Sequence, residues 1–261
     1  MKLALLAGAL AAFGGSAAAQ DHTHHGPGHA AASAPAAAPA PAHGGMGADM
    51  SSHHGRTFWM VRSDQEAALG GDERLFAFEA DAWIGGDRRK LWLKSDVEVH
   101  DGETETAELQ ALYSRNVTTF FDVQIGVRHD FEPEGVTYLA AGVKGLAPYL
   151  FETDAHAFLS ETGDVSFRLE QGFEFLLTQR LILEPEAEIN LQVSDVPELE
   201  LASGFTDLEA SLQLRYEITR KFAPYVELNY ERLLGGTADL ARDSGDDPEA
   251  TTLRAGLRVW F

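Results

Sequence analysis

Residues 250–261 read ATTLRAGLRVWF, and this stretch decides the fold of the chain. Its apolar set is Leu253, Ala255, Leu257, Val259 and Phe261, and its alternate set is Thr252, Arg254, Gly256, Arg258 and Trp260. A period of two predicts a β-strand with one apolar and one polar face. A strand that ends on an aromatic pair is typical of the closing strand of an outer-membrane β-barrel. There, the terminal aromatic serves as the signal for the barrel-insertion machinery.

The same alternation repeats upstream and predicts twelve strands. They span residues 57–65, 73–84, 89–100, 104–115, 119–131, 136–146, 149–160, 165–177, 181–193, 206–218, 222–233 and 250–261. Short turns at 116–118, 147–148, 178–180 and 219–221 contrast with the long acidic segment 235–249, which is expected to be a loop. Short turns on one rim and longer loops on the other are typical of a transmembrane antiparallel up-and-down β-barrel. The predicted fold class is therefore all-β.

The face opposite the apolar one is densely charged. In a soluble β-sandwich this face would contact bulk water, whereas in a membrane barrel it lines the lumen. Aromatic residues such as Phe120, Tyr149 and Tyr216 lie near strand ends, as in the interfacial girdles of barrels, and favour the membrane barrel. Arg254 and Arg258 are then expected to be counter-ions in an otherwise acidic lumen.

Residues 1–19 are expected to be a secretory signal peptide, with Lys2 before an apolar run and small residues at 17–19. The alternative is a membrane anchor, but the run is shorter than the roughly 20 residues that a spanning helix needs. Residues 20–56 form an expected disordered tail rich in His, Met, Ala and Pro, and residues 57–261 the barrel. An even strand number with periplasmic short turns places this tail in the periplasm of an outer-membrane protein.

Composition limits the function. The chain holds no cysteine, so disulfides do not stabilise it. Its net charge of −21 and its lack of basic clusters argue against nucleic-acid binding and suit a protein that attracts cations.

The tail concentrates metal ligands. The candidates are His22, His24, His25, His29, His43, Met46, Met50, His53 and His54. Imidazole nitrogen together with thioether sulfur suits copper, as Cu(I) or Cu(II), better than Zn²⁺ or Ni²⁺. The alternative is a solvated low-complexity linker without a metal.

The polar faces of the strands supply a candidate cation path through the lumen. Its residues are Glu108, Asp122, Asp130, Glu152, Asp154, His156, Glu170 and Glu186. The alternative is a self-neutralising ladder of ion pairs that fills a narrow barrel, because buried charges must be paired. His156 has lumen parity and His129 falls on the apolar face, and for both a purely structural role is the simpler interpretation.

An outer-membrane phospholipase would place a Ser and a His on the outer wall. His129 is the one clearly outward histidine in the predicted strands, and no serine with an orienting Asn or Asp is suggested beside it. The sequence therefore predicts no enzymatic activity.

Several ordered motifs resemble the copper resistance protein B family of outer-membrane proteins. They are ADAWIGGDRRKLWLKSDVE (80–98), ELQALYSRNVTTFFDVQIGVRHDF (108–131), VKGLAPYLFETDAHAFLSETGDVSFRLE (143–170), LLTQRLILEPEAEINL (176–191), LRYEITRKFAPYVELNYERLLGGTAD (214–239) and the ending LRAGLRVWF. The resemblance covers residues 57–261 and implies a barrel that acts in periplasmic copper tolerance.

The resulting hypothesis is a copper-binding protein of the cell outer membrane that sequesters or exports periplasmic copper and confers copper tolerance. Copper is its bound cargo, and no organic cofactor is expected. Expected partners are outer-membrane lipid, the barrel-insertion machinery and periplasmic copper-handling proteins. The alternative is a structural or general small-solute barrel whose His-rich tail is incidental.

Overall fold

The computed structural model describes residues 57–70 and 74–261, and these residues form an antiparallel sheet with one α-helix. The strands are β1 (Phe58–Ala68), β2 (Leu75–Gly85), β3 (Arg89–His100), β4 (Glu103–Asn116), β5 (Phe121–Glu132), β6 (Val136–Ala147), β7 (Phe151–Ser160), β8 (Val165–Gly172), β9 (Phe175–Leu176), β10 (Leu181–Gln192), β11 (Gly204–Tyr216), β12 (Phe222–Leu233) and β13 (Glu249–Trp260). The helix is α1 (Gly235–Ser244). Two short 3-10 helices, Pro148–Leu150 and Pro197–Leu199, lie in connections.

The sheet closes on itself as an up-and-down barrel. Apart from β8 and β9, each strand pairs with the next, and β13 pairs with β1 so that Trp260 lies opposite Arg62. The short strand β9 continues the line of β8, and both pair with β10. The described residues therefore form a closed twelve-stranded antiparallel barrel, which confirms the predicted fold class.

The eighth predicted strand, 165–177, is interrupted in the structure. Pairing with β10 stops at Gly172 and resumes at Phe175. The break lies opposite Pro185 of β10, which has no N–H to donate to the ladder, and only its carbonyl accepts a hydrogen bond, from Phe173 N (3.1 Å). One proline thus divides a continuous alternating pattern into β8 and β9.

The long acidic segment 235–249, expected as a loop, instead begins with helix α1. The helix ends at Gly245, whose φ of 96° lets its N–H turn back to the carbonyls of Ala241 and Arg242. Thr237 is buried and its Oγ1 accepts a hydrogen bond from the backbone N of Ala202 (3.1 Å), which ties the helix to the β10–β11 connection. Alternation of apolar and polar residues carries no signal for this helix, which lies between two clear strands.

The connections define two rims. The short-turn rim holds residues 86–88, 117–120, 148–150, 177–180 and 217–221, together with the start of β1 and the end of β13. The long-loop rim holds 69–70, 74, 101–102, 133–135, 161–164, 193–203 and 234–248, so among the described residues it carries tight turns as well as the two longest connections.

The outer face of the barrel is apolar and open to its surroundings. Leu91, Ile125 and Leu139 are 58%, 60% and 63% exposed. Such side chains form the lipid-facing band of an outer-membrane barrel. In the described part of the chain, no helix is both long enough and apolar enough to cross a membrane.

One wall of the interior is filled by a small apolar core. Leu112, Ala140 and Phe158 are at most 2% exposed, and Tyr138 packs with them. Trp92 and Val136 cover this cluster. The remaining interior surface is polar, and it contains the candidate site.

Candidate functional site

The strand register arranges the lumen carboxylates in rows. Residues that lie directly opposite one another share a face, so a lumen residue on one strand faces lumen residues on both neighbours. The first acidic row crosses β5 to β12 through Asp122, Lys144, Asp154, Glu170, Glu188, Glu209 and Glu231. Six of its seven members are carboxylates, interrupted once by a lysine.

This row runs from one rim to the other. Asp122 is the second residue of β5, directly after the 117–120 turn, whereas Glu231 lies near the end of β12 beside the loop that contains α1. Barrel strands are tilted by roughly 35–45°, so a row perpendicular to them climbs along the barrel axis. The first acidic row therefore follows a helical line along the lumen wall.

A second acidic row covers the rest of the wall. It begins at Arg258 of β13 near the short-turn rim and continues through Asp64, Glu79, Asp96, Glu108 and Asp130. Asp130 lies near the end of β5 at the long-loop rim. Two rows of carboxylates thus connect the two mouths of the barrel.

The rows enclose a cavity of about 420 Å³. Sixteen Asp and Glu residues and six Lys and Arg residues line it. Of the eight predicted path residues, Glu108, Glu152, Asp154, Glu170 and Glu186 line this cavity. Asp122, Asp130 and His156 face the lumen by register but lie outside the cavity lining.

Glu108 and Asp130 are neutralised by arginines. Glu108 lies 2.9 Å from Arg128 and 3.2 Å from Arg168, and it also accepts a hydrogen bond from Gln110. Arg128 donates from Nε and Nη2 to the two oxygens of Asp130, at 2.7 and 2.8 Å. In this part of the lumen the charges neutralise one another, as in the ladder of ion pairs considered from the sequence.

Asp154 joins three basic groups. Its Oδ2 accepts hydrogen bonds from the Nζ atoms of Lys94 (2.6 Å) and Lys144 (2.8 Å). Its Oδ1 lies 2.7 Å from Nδ1 of His156, which is 5% exposed and stacks on Phe158. The contact with Asp154 Oδ1 fixes the orientation of this imidazole.

Asp122 is held by the strand ends around it. It accepts hydrogen bonds from Lys90 Nζ (3.1 Å), Ser114 Oγ (3.1 Å) and Asn116 Nδ2 (2.9 Å). This carboxylate therefore fixes the geometry of the short-turn rim around β4 and β5.

Glu152, Glu170 and Glu186 behave differently. Within the described residues, none of the three has an ion pair, although all line the cavity. Glu186 and Glu152 are exposed to the interior space. These three carboxylates are therefore lumen acids that form no salt bridge within the described residues.

The expected arginine counter-ions are present. Arg254 pairs with Glu66 (2.9 Å) and Glu231 (2.7 Å), and Arg258 pairs with Asp64 (2.7 Å) and Glu184 (2.9 Å). Arg215 contacts Glu184 and Glu174 on the same side of the lumen. The lumen thus combines carboxylates that form salt bridges with carboxylates that form none, and the cation path stays a prediction.

Aromatic side chains inside the lumen contact basic groups, and these contacts were not predicted from the sequence. Arg128 lies 4.8 Å from the ring centre of Phe158 and 5.1 Å from that of Tyr138, while Lys144 lies 5.4 Å from that of Trp92. These distances are typical of cation–π contacts. The sequence does place Trp92 on the lumen face, because it lies at the same alternate positions of β3 as the lumen residues Lys90 and Lys94.

Carboxylates on the long-loop rim are held in their charged form. A hydrogen bond from Thr162, with further ones from Ser194 and Ser160, lowers the pKa of Asp164 below its usual value. The backbone N–H of Ser203, at 2.7 Å, likewise lowers the pKa of Asp195. This rim therefore stays negative at neutral pH.

His129 faces outward, as its parity predicts. Its Nδ1 lies 3.0 Å from Oγ1 of Thr137, and its ring meets Phe131 edge-on at 4.5 Å. The candidate metal ligands of the tail, residues 22–54, lie outside the described residues. Within 57–70 and 74–261, no group of three or more His, Cys, Asp or Glu side chains has the geometry of a metal site.

Comparison with known proteins supplies relatives by sequence. The chain is 42% identical over 187 residues to copper resistance protein B of Escherichia coli, covering 71% of this chain and 63% of that protein. It is 41% identical over 191 residues to a copper resistance protein B homolog of Pseudomonas syringae pv. tomato (strain ATCC BAA-871 / DC3000), covering 73% of this chain and 65% of that protein. The chain thus spans less than two thirds of the length of these relatives.

A solved structure of NanC porin shares the fold, with a TM-score of 0.52 at 12% sequence identity, over 77% of this chain and 99% of that one. The family model described as copper resistance protein B precursor (CopB) matches residues 57–261, which include every strand of the barrel. The chain therefore belongs to the copper resistance protein B family.

Proposed function

We propose that this chain is a copper-binding outer-membrane barrel that confers copper tolerance by sequestering periplasmic copper or passing it outward. The observation that carries the proposal is the first acidic row, which connects the two mouths of the barrel along the lumen wall. Membership in the copper resistance family identifies copper as the cation to test. The proposal contains no catalytic step and no organic cofactor.

The unpaired carboxylates are the proposed contact points for the ion. Glu170 and Glu186 line the cavity and form no salt bridge among the described residues, whereas Glu108 and Asp154 each form at least two. A passing cation must be attracted strongly enough to enter and weakly enough to leave. Scattered single carboxylates meet that requirement better than a dedicated metal cage.

The His/Met-rich segment 20–56 is the proposed capture region, after removal of a signal peptide at residues 1–19. In this arrangement the short-turn rim faces the periplasm, and the tail collects copper in that compartment. Periplasmic copper-handling proteins would deliver the ion, and the barrel-insertion machinery and outer-membrane lipid complete the set of partners.

Copper titration of the purified protein tests the proposal. We expect the chain lacking residues 20–56 to lose the tightest sites and the Glu170→Gln/Glu186→Gln double variant to lose weaker ones. The matched control is Glu134→Gln/Glu198→Gln, which removes the same charge from exposed loop positions. If the titrations of all four proteins coincide, the tail and the lumen do not bind copper, and the chain is a general small-solute barrel.

A further inference from the structure

Three arginines form an unpaired group on the outer surface of the short-turn rim. Arg89 on β3 and Arg115 on β4 lie directly opposite each other in the ladder. Arg88 precedes Arg89, and its carbonyl accepts a hydrogen bond from the backbone N of Asn116 (3.1 Å). All three side chains are exposed, and within the described residues none forms an ion pair. We call Arg88, Arg89 and Arg115 the rim arginine group.

This arrangement costs stability unless an anion is present. Like charges directly opposite each other on antiparallel strands repel, and here the pair has a third arginine beside it. Two other arginines of the barrel do have a carboxylate partner: Arg220 on the same rim lies 2.9 Å from Glu217, and Arg258 in the lumen lies 2.7 Å from Asp64. The rim arginine group therefore lacks a negatively charged partner and is suited to bind an anion.

The group faces the lipid side of the wall. Arg89 shares its face with Leu91, and Arg115 shares its face with Tyr113, which is itself opposite Leu91. Leu91 is 58% exposed and belongs to the apolar band. The outward pair Arg89–Arg115 thus follows the outward pair Leu91–Tyr113 toward the rim, at the edge of the apolar band.

Aromatic side chains mark the same level. Trp59 is 50% exposed and lies opposite Ile84, which lies opposite Leu91, so Trp59, Leu91 and Tyr113 share one outward row. Exposed Trp and Tyr side chains are enriched at the headgroup level of membranes. The row adjacent to the rim arginine group is therefore an interfacial row.

We propose that the rim arginine group binds the phosphate of an anionic phospholipid headgroup in the leaflet at the short-turn rim. Arginine binds phosphate through two parallel N–H donors, and two facing arginines supply two such forks. Tyr113 and Leu91 contact the acyl chains below the headgroup. The long-loop rim carries carboxylates such as Asp164 and Asp195, which repel an anionic headgroup. The anionic lipid is therefore expected to bind at the short-turn rim and not at the long-loop rim. The inference does not depend on copper transport.

Native mass spectrometry of the full chain in detergent, with added dioleoyl phosphatidylglycerol, tests this proposal. Each basic residue near an anionic surface contributes about 1 kcal/mol, so Arg89→Gln/Arg115→Gln should weaken binding about 30-fold. Arg89→Lys/Arg115→Lys keeps the charge and should show an intermediate loss. Arg180→Gln/Arg220→Gln removes the same charge from the same rim and should bind as the unmodified protein does.

Heat-dependent migration on gels verifies that each variant is folded. Binding that is equal in the Gln double variant and in the unmodified protein would overturn the proposal, as would equal binding of dioleoyl phosphatidylcholine. Inorganic phosphate serves as a third probe. If it raises the thermal stability of the unmodified protein as much as the anionic lipid does, the site binds free phosphate and the proposed lipid is wrong.

Discussion

Glu170 on β8 lies directly opposite Glu188 on β10, and both side chains face the lumen. Arg168 contacts Glu188 at 3.3 Å, but no basic group pairs with Glu170 within the described residues. Facing like charges are destabilising by roughly 0.2–1 kcal/mol. The barrel thus retains an unfavourable contact that a bound cation would relieve.

Glu170→Gln is expected to stabilise the copper-free barrel, because it removes the repulsion from Glu188 and leaves no cation unpaired. The expected gain in the free energy of unfolding is about 0.5 kcal/mol. Added Cu²⁺ should stabilise the variant less than the unmodified protein. Urea unfolding with and without CuCl₂ measures both effects, and Glu198→Gln on an exposed loop is the control. Destabilisation of the copper-free variant would contradict the assignment.

Glu108→Gln should have the opposite effect. Arg128 and Arg168 both pair with Glu108, so neutralising it leaves two partly buried guanidinium groups with fewer partners. We expect a loss of about 1–3 kcal/mol in the free energy of unfolding. Glu186→Gln, which removes a lumen charge without an ion pair, should change it little. Equal losses in the two variants would show that Glu108 is not a structural carboxylate.

Gly142→Ala tests the packing of the buried histidine. Gly142 lies opposite His156, and a Cβ at this position would overlap the imidazole ring and the carbonyl oxygen of Ala155. The expected loss of stability is about 1–3 kcal/mol. Gly135→Ala is the matched control, because a Cβ there meets no atom within 4 Å. Thermal unfolding of the two variants should differ clearly, and coincident curves would contradict the observed position of His156.

Adjacent residues of β11 test which face of the wall meets lipid. Leu212 points outward and is 43% exposed, whereas Ser211 lines the cavity. An arginine on the lipid face near the bilayer midplane costs about 2–4 kcal/mol, so Leu212→Arg should reduce the folded fraction in lipid vesicles. Ser211→Arg points into the acidic lumen and should fold normally. If Ser211→Arg reduced the folded fraction and Leu212→Arg did not, Leu212 could not be the lipid-facing residue of the two.

Much of this architecture follows from the sequence because a β-strand has a side-chain period of two. In segments such as 89–100 and 250–261, alternation identifies the strand, its lipid face and its lumen face without knowledge of its neighbours. Parity also placed His156 inside and His129 outside. The interruption at Pro185 and helix α1 were not predicted, since both depend on local backbone geometry rather than alternation.

Which carboxylates are paired could not be predicted. Glu108 and Glu170 have the same parity and similar local sequence patterns, but only Glu108 lies within reach of Arg128 and Arg168. That difference depends on register and closure, which bring together residues as far apart in sequence as Arg168 and Glu108. The cation–π contacts around Phe158 likewise depend on the three-dimensional arrangement.

Cu²⁺ flux into proteoliposomes measures the central claim most directly. The unmodified protein should admit Cu²⁺ faster than empty vesicles, because an acidic lumen concentrates cations. Glu170→Gln/Glu186→Gln should slow entry about tenfold, while Glu134→Gln/Glu198→Gln, with the same net charge, should not. Equal rates for the lumen double variant and the unmodified protein, or no flux above that of empty vesicles, would contradict a cation path along the acidic wall of the lumen.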